Sequence, residues 1–265
     1  MLRFEGTWAT LLEEWYRTED VQRQRDWVAS RAAVKEGEKV LDIGVGPGFF
    51  ASALAQGVGA EGRVIGLDIS PSMVQMAQRN CQGLSQVSIL EGDACNLSPL
   101  EEEGPFDCLI STQVYEYVEN VSVALQEAFR LLREGGRILI LDTDFSSVVW
   151  RTSDPARMQR VLKAYDEHLV HPHLPQSLCP LLRQAGFEVD HPVGTFSITN
   201  TELADSYSQY LLTTISEFVV GRQSLTAEEV SQWRSEQELL NQEGEYFFSL
   251  NRYLFVAHKP LSQSS

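Results

Sequence analysis

Asp42, Gly44, Gly46, Gly48 and Asp68 are the residues whose types and spacing first suggest chemistry. Lys39–Ile43 is apolar but for one acid near its end, and three glycines at alternate positions follow before a helical stretch, Phe49–Gln56. Glycines at a strand-to-helix turn let the backbone bend sharply and approach a ligand closely. The helix start behind them offers free N–H groups and the positive end of a dipole. A tight turn also needs glycine for structural reasons alone, so the turn by itself leaves both readings open. The second acid narrows them. Gly62–Leu67 reads as another short apolar strand and ends at Asp68, twenty residues past Gly48. A carboxylate there can accept both hydroxyls of a ribose. Ser70-Pro71 then opens a helix with a capping residue and a proline at the first helical position.

The elements that must position these residues alternate from Glu38 to Phe145. Strands are expected at Lys39–Ile43, Arg63–Asp68, Val87–Glu91, Phe106–Ser111 and Arg137–Asp142. Helices are expected at Phe49–Gln56, Pro71–Cys81 and Val121–Leu132, with a helical turn near Leu97–Leu100. Such βαβ alternation implies an α/β fold, a parallel sheet with helices on both faces and ligands at the carboxyl ends of its strands.

The set Asp42-x-Gly44-x-Gly46-x-Gly48 with Asp68 resembles the class I S-adenosylmethionine-dependent methyltransferases, in style the ubiquinone/menaquinone C-methyltransferase-like small-molecule group. It departs from the nicotinamide fingerprint G-x-G-x-x-G, because Phe49 stands where the third glycine would be. The resemblance covers residues 36 to 145 and the remainder only by topology. It implies a Rossmann-like three-layer sandwich, a seven-stranded mostly parallel sheet whose last strand is antiparallel, and a helical cap. It also implies S-adenosyl-L-methionine as cofactor, held by Asp42, Gly44, Gly46, Gly48, Asp68, Ile69, Met73, Asp93, Ala94 and Gln113. Asp93-Ala94 would meet the adenine; the lesser alternative is that Asp93 caps the next helical turn. The segment after the fourth strand would face the sulfonium, where an aromatic face stabilises a cation. Tyr115 or Tyr117 suits that place, with the other packed under a helix, and Tyr115 is the catalytic candidate. Residues 1–35 would form an N-terminal helical lid bringing Trp15 or Tyr16 near the methyl group, and Tyr16 would touch the substrate. Those helices, with Trp8, Leu11, Leu12, Trp15 and Tyr16 on one stripe, could also simply cover the sheet.

Further along, Asp142 and Asp144 end the fifth strand, and Asp142 is the substrate candidate there; alternatively one acid caps the following segment and the other is solvated. No third ligand accompanies them, so no metal is expected. Asp154-Pro155 starts another helix, broken by His168, His171 and His173 among two prolines. Histidine titrates near neutrality, and His171 is the candidate base if this is more than a polar turn. Pro175–Ala185 is a helix stopped by Gly186, and Phe187–Asp190 and Thr195–Ile198 form strand. The sequences Thr199-x-x-Glu202 and Thr226-x-x-Glu229 read as capping boxes opening helices Thr201–Val220 and Ala227–Gln242. These place a helical cap at residues 199–245, inserted before a last strand at Tyr246–His258, within a domain of residues 36–265.

The net charge of −16 argues against a nucleic-acid partner. The four cysteines lack C-x-x-C spacing, and reduced thiols in a cytoplasmic chain are expected. Met1–Gly6 lacks the apolar run of a leader, and no segment is long enough to span a bilayer. The expected activity is in-line methyl transfer to an O, N or C nucleophile of a small, apolar or aromatic molecule. The alternatives are a cyclase or decarboxylase that retains the cofactor, or a non-catalytic module that binds it. Oligomeric state is not legible.

Overall fold

The computed structural model describes residues 7–262, with backbone alone for residues 7–10. The segment Met1–Gly6, on which the expectation of no leader rests, lies outside the described residues, as do the last three residues and the side chain of Trp8. Two helices, α1 (Thr7–Tyr16) and α2 (Glu19–Ala32), come first. Then follow β1 (Lys39–Ile43), α3 (Phe49–Val58), β2 (Arg63–Asp68), α4 (Pro71–Asn80), β3 (Val87–Glu91), β4 (Phe106–Thr112), α5 (Val121–Leu131) and β5 (Leu132–Thr143). The second half holds β6 (Val149–Trp150), α6 (Pro155–Asp166), α7 (Pro175–Gln184), β7 (Glu188–Val189), β8 (Gly194–Asn200), α8 (Tyr207–Phe218), α9 (Ala227–Gln242) and β9 (Phe248–His258).

All these strands join one sheet, whose first half runs β3-β2-β1-β4-β5 in parallel. The chain moves outward from β1 to β3 and then returns to the other side of β1 as β4. That reversal makes the carboxyl end of β1 the switch point, where open α/β sheets leave a crevice. β9 is antiparallel to β5. Leu254 pairs with both Leu141 of β5 and Gly194 of β8, and Phe248 with both Trp150 of β6 and Asn200 of β8. A strand has two edges, so β5 and β6 share one edge of β9, and β7 and β8 share the other. Counted this way there are seven rows, with β6 and β7 as short extensions. The α/β sandwich with an antiparallel last strand is therefore as expected.

One face of the sheet buries Leu41, Ile43, Ile65 and Leu67 with α5 and α7, and the other buries Val40 and Val64 with α2, α3 and α4. Period-two alternation sends neighbouring side chains to opposite layers, which explains the near-continuous apolar strands. Arg137, near the middle of β5, reaches back to the end of α2. It donates to the Ala32 carbonyl at 2.7 Å and to both Glu38 oxygens at 3.0 and 2.7 Å. A third apolar cluster joins α6, α8 and α9 around Trp150, Trp233, Tyr246 and Phe248. This cap is tied to the N-terminal helices through Asp20, which accepts from Asn200 Nδ2 at 2.8 Å and from the Tyr207 N–H at 3.0 Å.

One expected boundary is corrected. Thr199 opens no helix, because it lies in β8 opposite Ser249 and its backbone belongs to the ladder. The helix starts eight residues later, with Ser206 accepting from the Gln209 N–H. The second box is present in full: Thr226 and Glu229 cap α9 reciprocally. Thr226→Ala is expected to lower stability by about 1 kcal/mol in a denaturant titration, and to leave ligand binding unchanged because neither capping residue lines a pocket.

Candidate active site at the switch point of the sheet

Gly44, Gly46 and Gly48 all have positive φ, at 74°, 52° and 85°. The Gly44 and Val45 N–H groups both donate to the Leu67 carbonyl, at 2.7 and 2.9 Å, drawing the turn against the end of β2. A Cβ on Gly44 would lie 2.1 Å from Val114 Cγ2, so the missing side chain lets the segment after β4 close over the turn. Among the described residues, a Cβ on Gly46 would meet only the Tyr16 hydroxyl, at 3.9 Å. The space beside this glycine is therefore open, as a ligand's approach requires.

Asp68 sits at the end of β2. Its carboxylate accepts from the Gly46 N–H and the Ser70 N–H, both at 2.9 Å. Burial pushes its pKa up while these backbone bonds pull it down. Asp42 is only 1% exposed, and its Oδ2 has no hydrogen-bond partner among the described residues. Such an orphaned acceptor costs stability unless a donor arrives. It lines a small pocket with Gly44, Val45, Tyr16, Gln24 and Arg25.

Burial, reinforced by the nearby Asp68 charge, pushes the Asp42 carboxyl up to about 7. The folded group thus binds its proton more tightly than the unfolded one. Its contribution to stability is full below the unfolded value of about 4, and is lost as pH rises to about 7. Asp42→Asn removes the buried charge. It is expected to raise the melting temperature at about pH 8 by a few degrees and to flatten its decline between about pH 4 and 7. Melts across a pH series check this; an unchanged profile would show that Asp42 does not titrate there.

Along the edge beyond β2, Ile69 is 69% exposed, an apolar side chain facing outward beside Asp68. Asp93 is exposed and accepts from the Cys95 N–H at 2.8 Å, the turn-capping bond, with Ala94 buried behind it. Met73 is buried with Met76 against Leu12 and lines neither pocket. Gln113, at φ 59°, lines a second and larger pocket.

That larger pocket lies between α1, the turn after β4, the cap and β9. Tyr16 belongs to both pockets and forms the seam between them. Its walls are aromatic, with Trp15, Tyr117, Phe145, Tyr165 and Tyr207. Three expected residues are not on it. Tyr115 is fully buried in the core under α5, because the 3₁₀ turn Tyr115–Tyr117 directs its first and last rings oppositely; Tyr117 takes the pocket position. Asp142 is fully buried and accepts from the Val114 N–H at 3.1 Å, bracing the post-β4 turn. Its neighbour Asp144 caps the next turn, accepting from the Ser146 N–H at 3.0 Å. His171 is half-buried outside the lining, and His168 lies on it instead, stacked on Tyr165 at 3.9 Å. Burial holds His168 down at about 4, so it is neutral at pH 7 and a weak base.

Sequence reasoning missed Glu116 and Arg252, both on the pocket floor and both 1% exposed. A signal for Arg252 existed. Phe248, Leu250 and Leu254 share its face of β9, so an arginine stands in an otherwise apolar row. Among the described residues there is no group of acids, histidines and cysteines suited to a metal, and no helix is long and apolar enough to cross a membrane.

A family model described as a methyltransferase domain matches residues 34–242. An uncharacterized 37.1 kDa protein in a transposon of Streptomyces fradiae is 36% identical over 169 residues, 62% of this chain and 47% of that protein. A demethylmenaquinone methyltransferase of Oceanobacillus iheyensis is 30% identical over 133 residues, 48% of this chain and 55% of the enzyme. The chain thus spans about half the length of these curated relatives. The crystal structure of a putative methyltransferase from Bacillus halodurans superposes with a TM-score of 0.62 at 22% identity, over 90% of this chain and all of the other, a likeness of fold.

Proposed function

The chain belongs to the methyltransferase domain family, and on that premise we propose that it transfers a methyl group from S-adenosylmethionine to a small aromatic or apolar acceptor. The observation that carries the proposal is the pair of joined pockets: one with an orphaned buried carboxylate oxygen at a glycine turn, the other aromatic-walled, meeting at Tyr16. The first fits the cofactor. Asp42 Oδ2 lacks a donor, and an amino group supplies one. The space left open at Gly46 admits the chain of the amino acid. Asp68 would accept the ribose hydroxyls, with Ile69 against the adenine and Asp93 at its amine. Bound there, S-adenosylmethionine supplies a methyl group already activated on a sulfonium.

The protein's part is positioning. Tyr16 stands where the two pockets meet, Gln113 lines the acceptor side, and the aromatic walls exclude water from the acceptor. The N-terminal segment to residue 35 would act as lid, because Leu11, Leu12, Trp15 and Tyr16 close one side of the acceptor pocket. Residues 199–245 would supply much of the opposite side as a cap. The chemistry of the walls supports an apolar or aromatic acceptor, and the charge of −16 disfavours nucleic acid. The four cysteines are unpaired, which supports a reducing, cytoplasmic setting. A screen of ring-bearing acceptors for release of S-adenosylhomocysteine tests the activity. Turnover of aromatic acceptors over aliphatic amines is expected, and the reverse order would overturn the choice of acceptor class.

A further inference from the structure

The floor of the acceptor pocket holds one buried cation and one buried acid, joined through a single residue. Thr143 donates its backbone N–H to Glu116 Oε2 at 3.1 Å, and its hydroxyl accepts from Arg252 Nε at 3.3 Å. Arg252 also donates to Tyr207 Oη at 2.8 Å and to Gln24 Oε1. All three partners are neutral, and among the described residues no carboxylate lies within ion-pair distance of this guanidinium. Five N–H donors with three committed leave two for a ligand. A buried cation without an ionic partner is costly, and an anionic atom in the pocket would complete it.

We propose that Glu116 and Arg252 act together on an acceptor carrying a weakly acidic hydroxyl on a planar ring, Glu116 taking the hydroxyl proton and Arg252 holding the oxygen anion. This rests on the methyltransferase reading and names the acceptor class for it. In the step, the O–H bond breaks, its electron pair stays on the oxygen, and the Glu116 carboxylate becomes a carboxyl. The pocket's net charge is unchanged, because the negative charge moves from Glu116, outside ion-pair distance of the guanidinium, to an oxygen in contact with it. No new charge has to be buried, which is the usual obstacle to ionisation in a dry site. The proton leaves Glu116 for water when the site reopens. The electron pair on oxygen is thereby freed for attack; where a ring carbon takes the methyl group instead, the proton that carbon loses returns to the oxygen and the ring is restored.

The surroundings single out Glu116. It is faced by Asp142 from β5, Arg252 from β9, Tyr16 from α1, Tyr117 from its own turn, Tyr165 and His168 from α6 and the residues after it, and Tyr207 from α8. Burial and the Glu116 charge raise Asp142 well above the usual carboxylate range. Burial likewise raises all four tyrosines, with Tyr16 at about 12. His168 is neutral and weakly basic at about 4. Glu116 alone stands near neutrality, raised by burial to about 7 against the pull of the Thr143 N–H and Arg252. A carboxyl there is a far better match to a phenol than an ordinary glutamate.

The test uses 3-nitrophenol, whose neutral and ionised forms differ in colour, added to the protein without cofactor at about pH 7.5, below the probe's own pKa and above that of Glu116. Wild type is expected to bind the probe and turn it to the phenolate. Wild type keeps the phenol's proton on Glu116, whereas Glu116→Gln, which mimics the protonated acid, should release about one proton to a weakly buffered solution for each phenolate it binds, and Arg252→Lys should bind the probe at least about tenfold more weakly. Circular dichroism and melts confirm that each protein is folded. A neutral bound probe in wild type, equal proton release per phenolate by wild type and Glu116→Gln, or no binding by folded wild type would each overturn the proposal. S-adenosylmethionine binding is titrated separately, so failure of the cofactor reading registers on a different signal.

Discussion

Asp68→Ala is expected to weaken S-adenosylmethionine binding by about 100-fold or more, because two hydrogen bonds from hydroxyls to a carboxylate are worth roughly 1.5–3 kcal/mol each. The carboxylate is already oriented without ligand. The Gly46 and Ser70 N–H groups fix its two oxygens at 2.9 Å, so little ordering remains for binding to supply. Removing it also frees the Gly46 N–H, loosening the turn itself. Asp68→Asn separates the two effects, since it keeps the shape and one acceptor oxygen. Calorimetric titration of both variants checks this. An Asp68→Ala protein that binds within about threefold of wild type would exclude the residue from the site.

The glycines should divide in their effects. Gly48→Ala places a Cβ 2.8 Å from the Ala77 Cα, the backbone of α4, at φ 85°. Backbone cannot rotate away as a side-chain tip can. Left-handed strain plus overpacking should cost about 2–5 kcal/mol and lower the melting temperature substantially. Gly46→Ala adds a methyl into open space, where among the described residues only Tyr16 Oη comes within 4 Å. Its stability cost is the left-handed strain alone, about 1–2 kcal/mol. The methyl nevertheless stands where the ligand must approach, so binding should fall at least about tenfold. Melts and titrations on the pair distinguish the roles. Equal destabilisation with unimpaired binding by Gly46→Ala would mean that the open space at Gly46 is not the ligand's.

The parallel half of the sheet was legible because each strand there is a short apolar run bounded by turn residues, and the glycine turn with Asp68 marks two strand ends at once. Lys39–Ile43, Arg63–Asp68 and Val87–Glu91 stand at the expected limits. The start of α8 was not. Thr199-x-x-Glu202 has the local chemistry of a cap, but a seven-residue edge strand against β9 outbids one side-chain hydrogen bond. The pocket was legible only as a place. Tyr115 and Tyr117, or His168 and His171, differ by two and three residues, and which ring faces the cavity depends on a 3₁₀ turn and on the end of α6. Glu116 lay hidden between two tyrosines, since nothing local tells a buried acid from a solvated one. Arg252 comes from the far end of the chain, and its neighbours Gln24, Thr143 and Tyr207 come from three other elements.

The most direct measurement is calorimetric titration of S-adenosylmethionine into the wild-type protein. One site per chain with a dissociation constant on the order of micromolar is expected, with binding heat that follows the buried Asp42 and Asp68 carboxylates on mutation. No binding heat from a protein shown to be folded would contradict the cofactor assignment, and with it the joined-pocket account of methyl transfer.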